Sequence, residues 1–157
     1  MRTWFCVLVW LTRPRGQRHG RNGNVGRGFV KGFGLERGAL ASSVGHDSHN
    51  ICVLGASDED MALAVNRVIE LAGGFVAARD GQVIAELALP IAGLMSGSSA
   101  EVVRPAVATL RDAVRAMGCP LAGPLLQLSF LPLPVIPHLK ITDRGLVDVD
   151  RFELIDP

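Results

Sequence analysis

The polar stretch HDSHN, residues 46–50, holds five side chains that could take part in chemistry: His46, Asp47, Ser48, His49 and Asn50. Imidazole groups bind metals and transfer protons, and a hydroxyl activated by a base can act as a nucleophile. The stretch lies between two short apolar segments, GALASSV and NICVLGA. This pattern predicts a polar turn joining two strands of a hairpin.

A metal site at this turn would need ligands from elsewhere in the chain. In a strand, His46 and His49 would face opposite ways, so only a turn could aim both at one ion. Three or four ligands are required, and a carboxylate such as Asp47 or Asp143 would have to join them. The sequence contains neither HxH nor HExxH. We therefore expect no metal centre formed by this chain alone.

Asp47, Ser48 and His49 are also the residue types of a catalytic triad. Adjacent residues cannot align a nucleophile, a base and an orienting carboxylate without distant partners. Asp47, Ser48 and Asn50 are equally suited to bonding the backbone of their own turn. From these residues alone, both a functional turn and a self-supporting turn remain open.

Other catalytic and nucleotide-binding motifs are excluded more firmly. Residues 53–65, VLGASDEDMALAV, have the strand, turn and helix pattern of a dinucleotide site. They contain one glycine where the phosphate fingerprint needs three, and acidic residues crowd the helix start where a pyrophosphate would bind. The sequence has no GxxxxGK[ST] loop and no GxSxG elbow.

The periodicity predicts an α/β (or α+β) fold, with a mixed β-sheet containing hairpins and packed by two main amphipathic helices. The first helix follows Ser57, an N-cap residue with Asp60 as its capping partner, and ends at Gly73-Gly74. Its apolar face comprises Met61, Val65, Val68, Ile69 and Ala72.

The second helix begins after Ser98 or Ser99 and ends at Gly118. Pro105 lacks an amide donor, so we expect it to kink this helix or to shift its start downstream. The apolar face comprises Val103, Val107, Leu110, Val114 and Met117.

Turn residues predict the remaining connections. Asp80-Gly81 indicates a hairpin turn. Pro132, Pro134 and Pro137 predict an extended C-terminal loop, because proline cannot donate to a sheet ladder. LKITDRGLVDV, residues 139–149, then predicts two short strands about a turn.

The charge distribution divides the chain. Residues 1–35 contain seven basic residues and no acidic ones, leaving nine basic and fifteen acidic residues for the rest. We expect residues 1–17 to be disordered, residues 18–36 to form a Gly/Arg-rich connector and residues 37–157 to form the folded domain. The apolar run of residues 4–11 is too short to cross a bilayer, so no membrane is expected.

The cysteines indicate the cellular compartment. Cys6, Cys52 and Cys119 lie far apart and form no CxxC pair, so neither a disulfide framework nor a zinc ribbon is expected. A reducing cytoplasm is the simplest setting, and we expect a cytoplasmic protein.

Four ordered blocks carry a resemblance to a known family. They are RHGRNGNVGRGFVKGFGLERGALASSVGHDSHNICVLG, DEDMALAVNRVIELAGGFV, LPIAGLMS and LSFLPLPVIPHLKITDRGLVDV. From about Arg18 to Pro157 the chain resembles the C-terminal portion of bacterial adenine deaminases, of the metal-dependent amidohydrolase superfamily. Pro132, His138 and residues 1–17 depart from the family pattern.

The resemblance implies hydrolysis of adenine to hypoxanthine and ammonia in the complete enzyme. It implies manganese or iron bound on a (β/α)8 barrel, and a carboxylate that moves protons. We expect this catalytic barrel to be a partner that the chain does not contain. The chain is therefore expected to be inactive and metal-free by itself, with the HDSHN turn contacting the active-site region of the complete enzyme.

Two other functions remain as alternatives. The chain could be a non-catalytic interaction or dimerisation module, which would assemble as a homo-oligomer. A basic arm on a nucleic-acid-binding domain is a third interpretation, but it explains none of the four blocks, so a nucleic-acid partner is not expected.

Overall fold

The computed structural model describes residues 5–10, 25–46 and 48–155, with backbone only for residues 5–10. Nine strands and three helices lie in this part of the chain, which confirms the predicted α/β (or α+β) class. None of these helices is long and apolar enough to cross a membrane. In chain order the elements are β1 Phe5–Trp10, β2 Val25–Val30, β3 Ala39–Ser42, β4 Ile51–Gly55, α1 Asp58–Glu70, β5 Gly74–Arg79, β6 Gln82–Ala88, α2 Ala100–Ala116, α3 Pro124–Phe130, β7 Leu139–Thr142, β8 Gly145–Asp148 and β9 Glu153–Ile155.

The strands form two sheets. One has six strands in the order β2-β1-β4-β3-β5-β6, and the other has three in the order β7-β8-β9. The mixed sheet expected from the sequence is antiparallel in every described pair. The strand-helix-strand unit β4-α1-β5 suggests neighbouring parallel strands, but β3 lies between β4 and β5 and is antiparallel to both.

Helices cover both faces of the six-stranded sheet. Successive residues of a strand point to opposite sides, so β3, β4 and β5 supply both cores. On one side α1 packs Met61, Ala64, Val65 and Val68 against Ala39, Ala41, Ile51, Val53, Val76 and Ala78. On the other side α2 and α3 contribute Leu110, Val114, Met117 and Leu128, which pack with Leu40, Cys52, Leu54, Ala77 and Ala85. Because β3 and β4 are buried throughout, the turn that joins them is held on a rigid base.

Helix α1 begins after its predicted N-cap residue, Ser57, but the side chain of the predicted capping partner, Asp60, bonds elsewhere. The Ser57 hydroxyl accepts a hydrogen bond from the amide of Asp60 at 3.3 Å. Ser57 in turn donates to Glu59, at 2.7 Å. Beyond the helix, Ala72 takes a positive φ of 59° and is exposed, so it does not extend the predicted apolar face.

Two polar contacts tie α1 to the β5–β6 hairpin. The buried carboxylate of Asp60, expected in a capping box, instead accepts hydrogen bonds from the amides of Asp80 and Gly81 at 3.2 and 2.9 Å. Arg67 donates two hydrogen bonds to Glu86, at 2.7 and 2.8 Å, which lower the pKa of that carboxyl. Asp80 and Gly81 have φ of 55° and 75°, as a two-residue hairpin turn requires.

Helix α2 confirms the second apolar face in its C-terminal half. Leu110, Val114 and Met117 are buried, and Val103 and Val107 are half-buried. The helix begins at Ala100, so Pro105 lies inside it and does not delay its start.

Helix α3, whose sequence is PLLQLSF, was not predicted. Pro124 occupies its first turn, where a missing amide donor costs nothing. Its residues Leu128 and Ser129 are buried. Seven residues are too few to show a helical period, so the sequence pattern could not separate this helix from a strand.

Two strands lie in segments that the sequence assigns to disorder and to a connector. Within residues 1–17, Phe5–Trp10 forms β1, and within residues 18–36, Val25–Val30 forms β2. A Cβ at Gly26 would lie 1.8 Å from the carbonyl oxygen of Thr142. Gly26, one of the glycines that suggest a loop, is therefore required by the close approach of another backbone.

The C-terminal region follows the prediction in its main features. Residues 131–138 form turns without a strand, and β7 and β8 pair about the turn at residues 143–144. Strand β9 was not predicted, and it extends this sheet by pairing with β8.

Candidate functional site

The first part of the polar turn rests on helix α3. The ring of His46 stacks on that of Phe130, with centroids 4.9 Å apart and planes inclined by 13°. The amide of His46 donates to the carbonyl oxygen of Ser129 at 3.0 Å. One face of this imidazole is therefore covered, while the side chain remains exposed to solvent.

The second part of the turn has a constrained backbone. His49 is half-buried, has a φ of +49°, and donates its amide to the carbonyl oxygen of Gly45 at 3.0 Å. Asn50 is buried and Ser48 is exposed. Asp47, the remaining candidate residue, lies outside the described residues. A positive φ in a residue other than glycine is uncommon, and it shows that the backbone at His49 is constrained.

A surface groove of about 320 Å³ runs between the turn and the three-stranded sheet. Ser48 lies at one side of it, and Phe152, 84% exposed, lies at another. The full lining is Ser48, Pro132, Pro134, Thr142, Asp143, Arg144, Val147, Phe152, Glu153 and Leu154. The groove thus joins the HDSHN turn to the Pro-rich loop and the C-terminal strands.

A buried serine beside the turn links two further segments. The Ser43 hydroxyl donates to the carbonyl oxygen of Gly93 at 2.6 Å and accepts from the amide of Gly74 at 2.8 Å. The amide of Leu89 donates to the carbonyl oxygen of Gly73 at 2.9 Å. Sequence reasoning missed this network, because its only signal is a set of glycines following strand and helix ends.

The loop held by Ser43 displays apolar side chains. Ile91 and Met95 form an isolated bridge, and their side chains are 47% and 57% exposed. Gly93 between them has a φ of +75°. A rigid loop that holds two large apolar groups in solvent suits contact with another protein surface.

These features lie at one end of the six-stranded sheet, here called the turn end, formed by residues 43–46, 48–50, 71–74, 89–97 and 129–134. The polar turn lies at that end because it follows Ser42, the last residue of β3, and precedes Ile51, the first residue of β4. At the same end, Gly74 of β5 pairs with Ala88 of β6. Each of the four sequence blocks contributes to the turn end. Segments far apart in the chain therefore meet at one surface.

The described residues do not fit the manganese or iron that the resemblance implies. Among residues 5–10, 25–46 and 48–155, no three His, Cys, Asp or Glu side chains come close enough to share an ion. Burial raises the pKa of the Cys52 thiol to about 12, and it also raises the pKa of Cys119. Neither thiol is therefore available as a thiolate at neutral pH.

Together the fold and the turn end define an α/β domain that presents loops from four separate segments at one end of a sheet. The chain belongs to a family of such domains: the family described as "Adenine deaminase C-terminal domain" matches residues 15–153. This match confirms the resemblance drawn from the four sequence blocks.

Curated relatives agree with the family match. An adenine deaminase of Methylobacterium nodulans is 70% identical over 138 residues, which are 88% of this chain and 24% of the relative. An adenine deaminase of Brucella abortus is 64% identical over 139 residues, again 88% of this chain and 24% of the relative. Adenine deaminase 1 of Rhizobium meliloti is 66% identical over 139 residues, 88% of this chain and 25% of the relative. The chain thus spans about a quarter of the length of these relatives.

Proposed function

We propose that this chain is the C-terminal domain of a metal-dependent adenine deaminase, a cytoplasmic enzyme of purine catabolism that hydrolyses adenine to hypoxanthine and ammonia. The observation that carries the proposal is the family match over residues 15–153, together with relatives named adenine deaminase at 64–70% identity. We assign the manganese or iron and its ligands to the catalytic barrel, in the part of the enzyme outside the match.

In this proposal the domain meets the catalytic part through its turn end. Loops display functional groups best when a rigid scaffold positions them, and β3 and β4 are buried on both faces. His46 is fixed by Phe130 and Ser129, and His49 by its backbone bond to Gly45. The turn then contributes positioned polar groups to the active-site region, where adenine binds, while the metal chemistry takes place on the barrel.

A domain that pairs with a second copy of itself is the second candidate function. Exposed apolar side chains favour it, since Ile91, Met95 and Phe152 are 47%, 57% and 84% exposed. Monomeric proteins rarely expose large contiguous patches of apolar side chains. Because Ile91 and Met95 lie in the turn end, this second function competes with the first for the same surface.

The purified chain, incubated with adenine and either Mn²⁺ or Fe²⁺, should form no hypoxanthine above a protein-free control. The physical reason is that the described residues offer no group of three ligands for an ion that could activate water. Hypoxanthine is measured by chromatography, with the intact Methylobacterium nodulans relative as the positive control. Hypoxanthine formation that is proportional to the chain's concentration would contradict the assignment of catalysis to the missing part.

A further inference from the structure

The central position between β2 and β4 is filled by a strand that lies outside the family match. Phe5–Trp10 pairs along its length with Val25–Val30 on one side and from Cys6 to Trp10 with Ile51–Gly55 on the other. The family match begins only at residue 15. The shared domain thus includes both neighbours of β1 but not β1 itself.

Contacts that do not involve β1 hold both of these neighbours. Strand β4 pairs with β3 and is covered by α1 and α3. Strand β2 packs on the three-stranded sheet: a Cβ at Gly26 would meet the carbonyl oxygen of Thr142, and one at Gly28 would lie 3.1 Å from Leu146. If β1 were removed, β2 and β4 would lie about 10 Å apart, which leaves room for a single extended segment between them.

Strand β4 requires a partner on that side. All five of its residues are buried, and the backbone groups that point to β1 would lose their protein hydrogen-bond partners and form an open sheet edge if the position were empty. Ile51 and Val53 face the α1 core, while Cys52 and Leu54 face the opposite core. A segment lying beside β4 has a strand that is buried at every position along one of its edges, which favours apolar residues in that segment. FCVLVW is apolar at all six positions.

We propose that the position between β2 and β4 is a strand-binding slot, which Phe5–Trp10 occupies here. In the adenine deaminase relatives, the slot takes an apolar segment of their own sequence from just before the matched domain. About three quarters of each relative lies outside the match. Residue 15, where the match starts, is ten residues before β2 at Val25, so a preceding segment can return as a hairpin antiparallel to β2. This inference goes beyond the proposed function and is tested without adenine.

Three variants of the full chain test the slot by amide hydrogen exchange. In the first, residues 4–11 become a Gly/Ser segment of equal length. In the second, residues 1–14 are replaced by the same number of residues preceding the match in the Methylobacterium nodulans relative. The third, Leu8→Val, keeps a β-forming residue and its amide donor and is the matched control. The β4 amides that point to β1, which alternate along Ile51–Gly55 with those that point to β3, report on the slot, and the amides of Ala39–Ser42 report on the rest of the sheet.

In the Gly/Ser variant the β4 amides that point to the slot should exchange at least about 100-fold faster, because they lose their hydrogen-bond partners in β1. The replacement from the relative and Leu8→Val should both keep the protection of the unaltered chain. Full protection in the Gly/Ser variant would show that β1 is not needed. Loss of protection in the replacement variant, whether local or through unfolding, would show that the relatives do not supply an equivalent strand. Either result would overturn the proposal.

Discussion

Replacing Gly73 with alanine should lower the free energy of unfolding by about 3 kcal/mol or more, since strain and overcrowding act together there. Gly73 has a φ of +120°, which an L side chain rarely adopts. A Cβ at this position would lie 2.3 Å from the Cα of Gly93 and 3.0 Å from the hydroxyl oxygen of Ser43. The substitution therefore forces apart the segments that form the turn end. Denaturant unfolding of the isolated chain measures the loss.

Gly32→Ala is the matched control for this substitution. Gly32 has a φ of +107°, yet nothing lies within 4 Å of a Cβ built there. Its cost should be that of backbone strain alone, about 1 kcal/mol. If the two substitutions destabilise the chain equally, then close packing at Ser43, Gly73 and Gly93 does not hold the turn end together.

Alanine at the residues matching Asp47 and His49 in the intact Methylobacterium nodulans relative should lower adenine turnover about 10–100-fold, the usual effect of groups that support an active site from beside it. The melting temperature should fall only slightly, because His49 is half-buried, its backbone bond to Gly45 is kept, and the buried residues of β3 and β4 are not altered. Turnover and thermal unfolding are measured on the same preparations.

The variant matching Asp58→Ala serves as the control for the turn. Asp58 is an exposed carboxylate in the first turn of α1, at the opposite end of β4 from the HDSHN turn. Its replacement should leave turnover unchanged. A fall in melting temperature with normal turnover at the Asp47 and His49 positions would instead support a turn that only stabilises its own backbone.

The sequence predicted correctly those turns and helix ends that depend only on residues close together in the chain. Asp80-Gly81 favours positive φ at both turn positions, and the hairpin forms there. Ser57 caps α1 because its hydroxyl needs only the amide three residues on. For the same reason the hairpin on either side of the HDSHN turn could be predicted, since alternating apolar segments about a polar turn depend on neighbouring residues.

Features that depend on distant parts of the chain could not be predicted. Gly26 and Gly28 suggest flexibility until the backbone of Thr142 and the side chain of Leu146 are placed beside them. Asp60 fits a capping box by spacing, but the hairpin turn at Asp80 offers its carboxylate two amide donors. Tertiary partners decided these roles, and residue spacing carries no information about them.

The candidate site also has features that the sequence predicts and features that depend on distant residues. The polar composition of residues 46–50 could be predicted, and so could the need for partners from elsewhere. The stacking of His46 on Phe130 and the Ser43 bonds to Gly74 and Gly93 join residues 31 to 84 positions apart. Only the folded chain brings these groups to one end of the sheet.

The most direct test of the central claim is adenine turnover by a chimera in which residues 15–153 replace the matching quarter of the Methylobacterium nodulans adenine deaminase. If this chain is the C-terminal domain of such an enzyme, the chimera should convert adenine to hypoxanthine within about tenfold of the parent rate, a difference of about 1.4 kcal/mol in the barrier. A chimera that folds with the parent's melting temperature and metal content, yet forms no hypoxanthine, would contradict the claim.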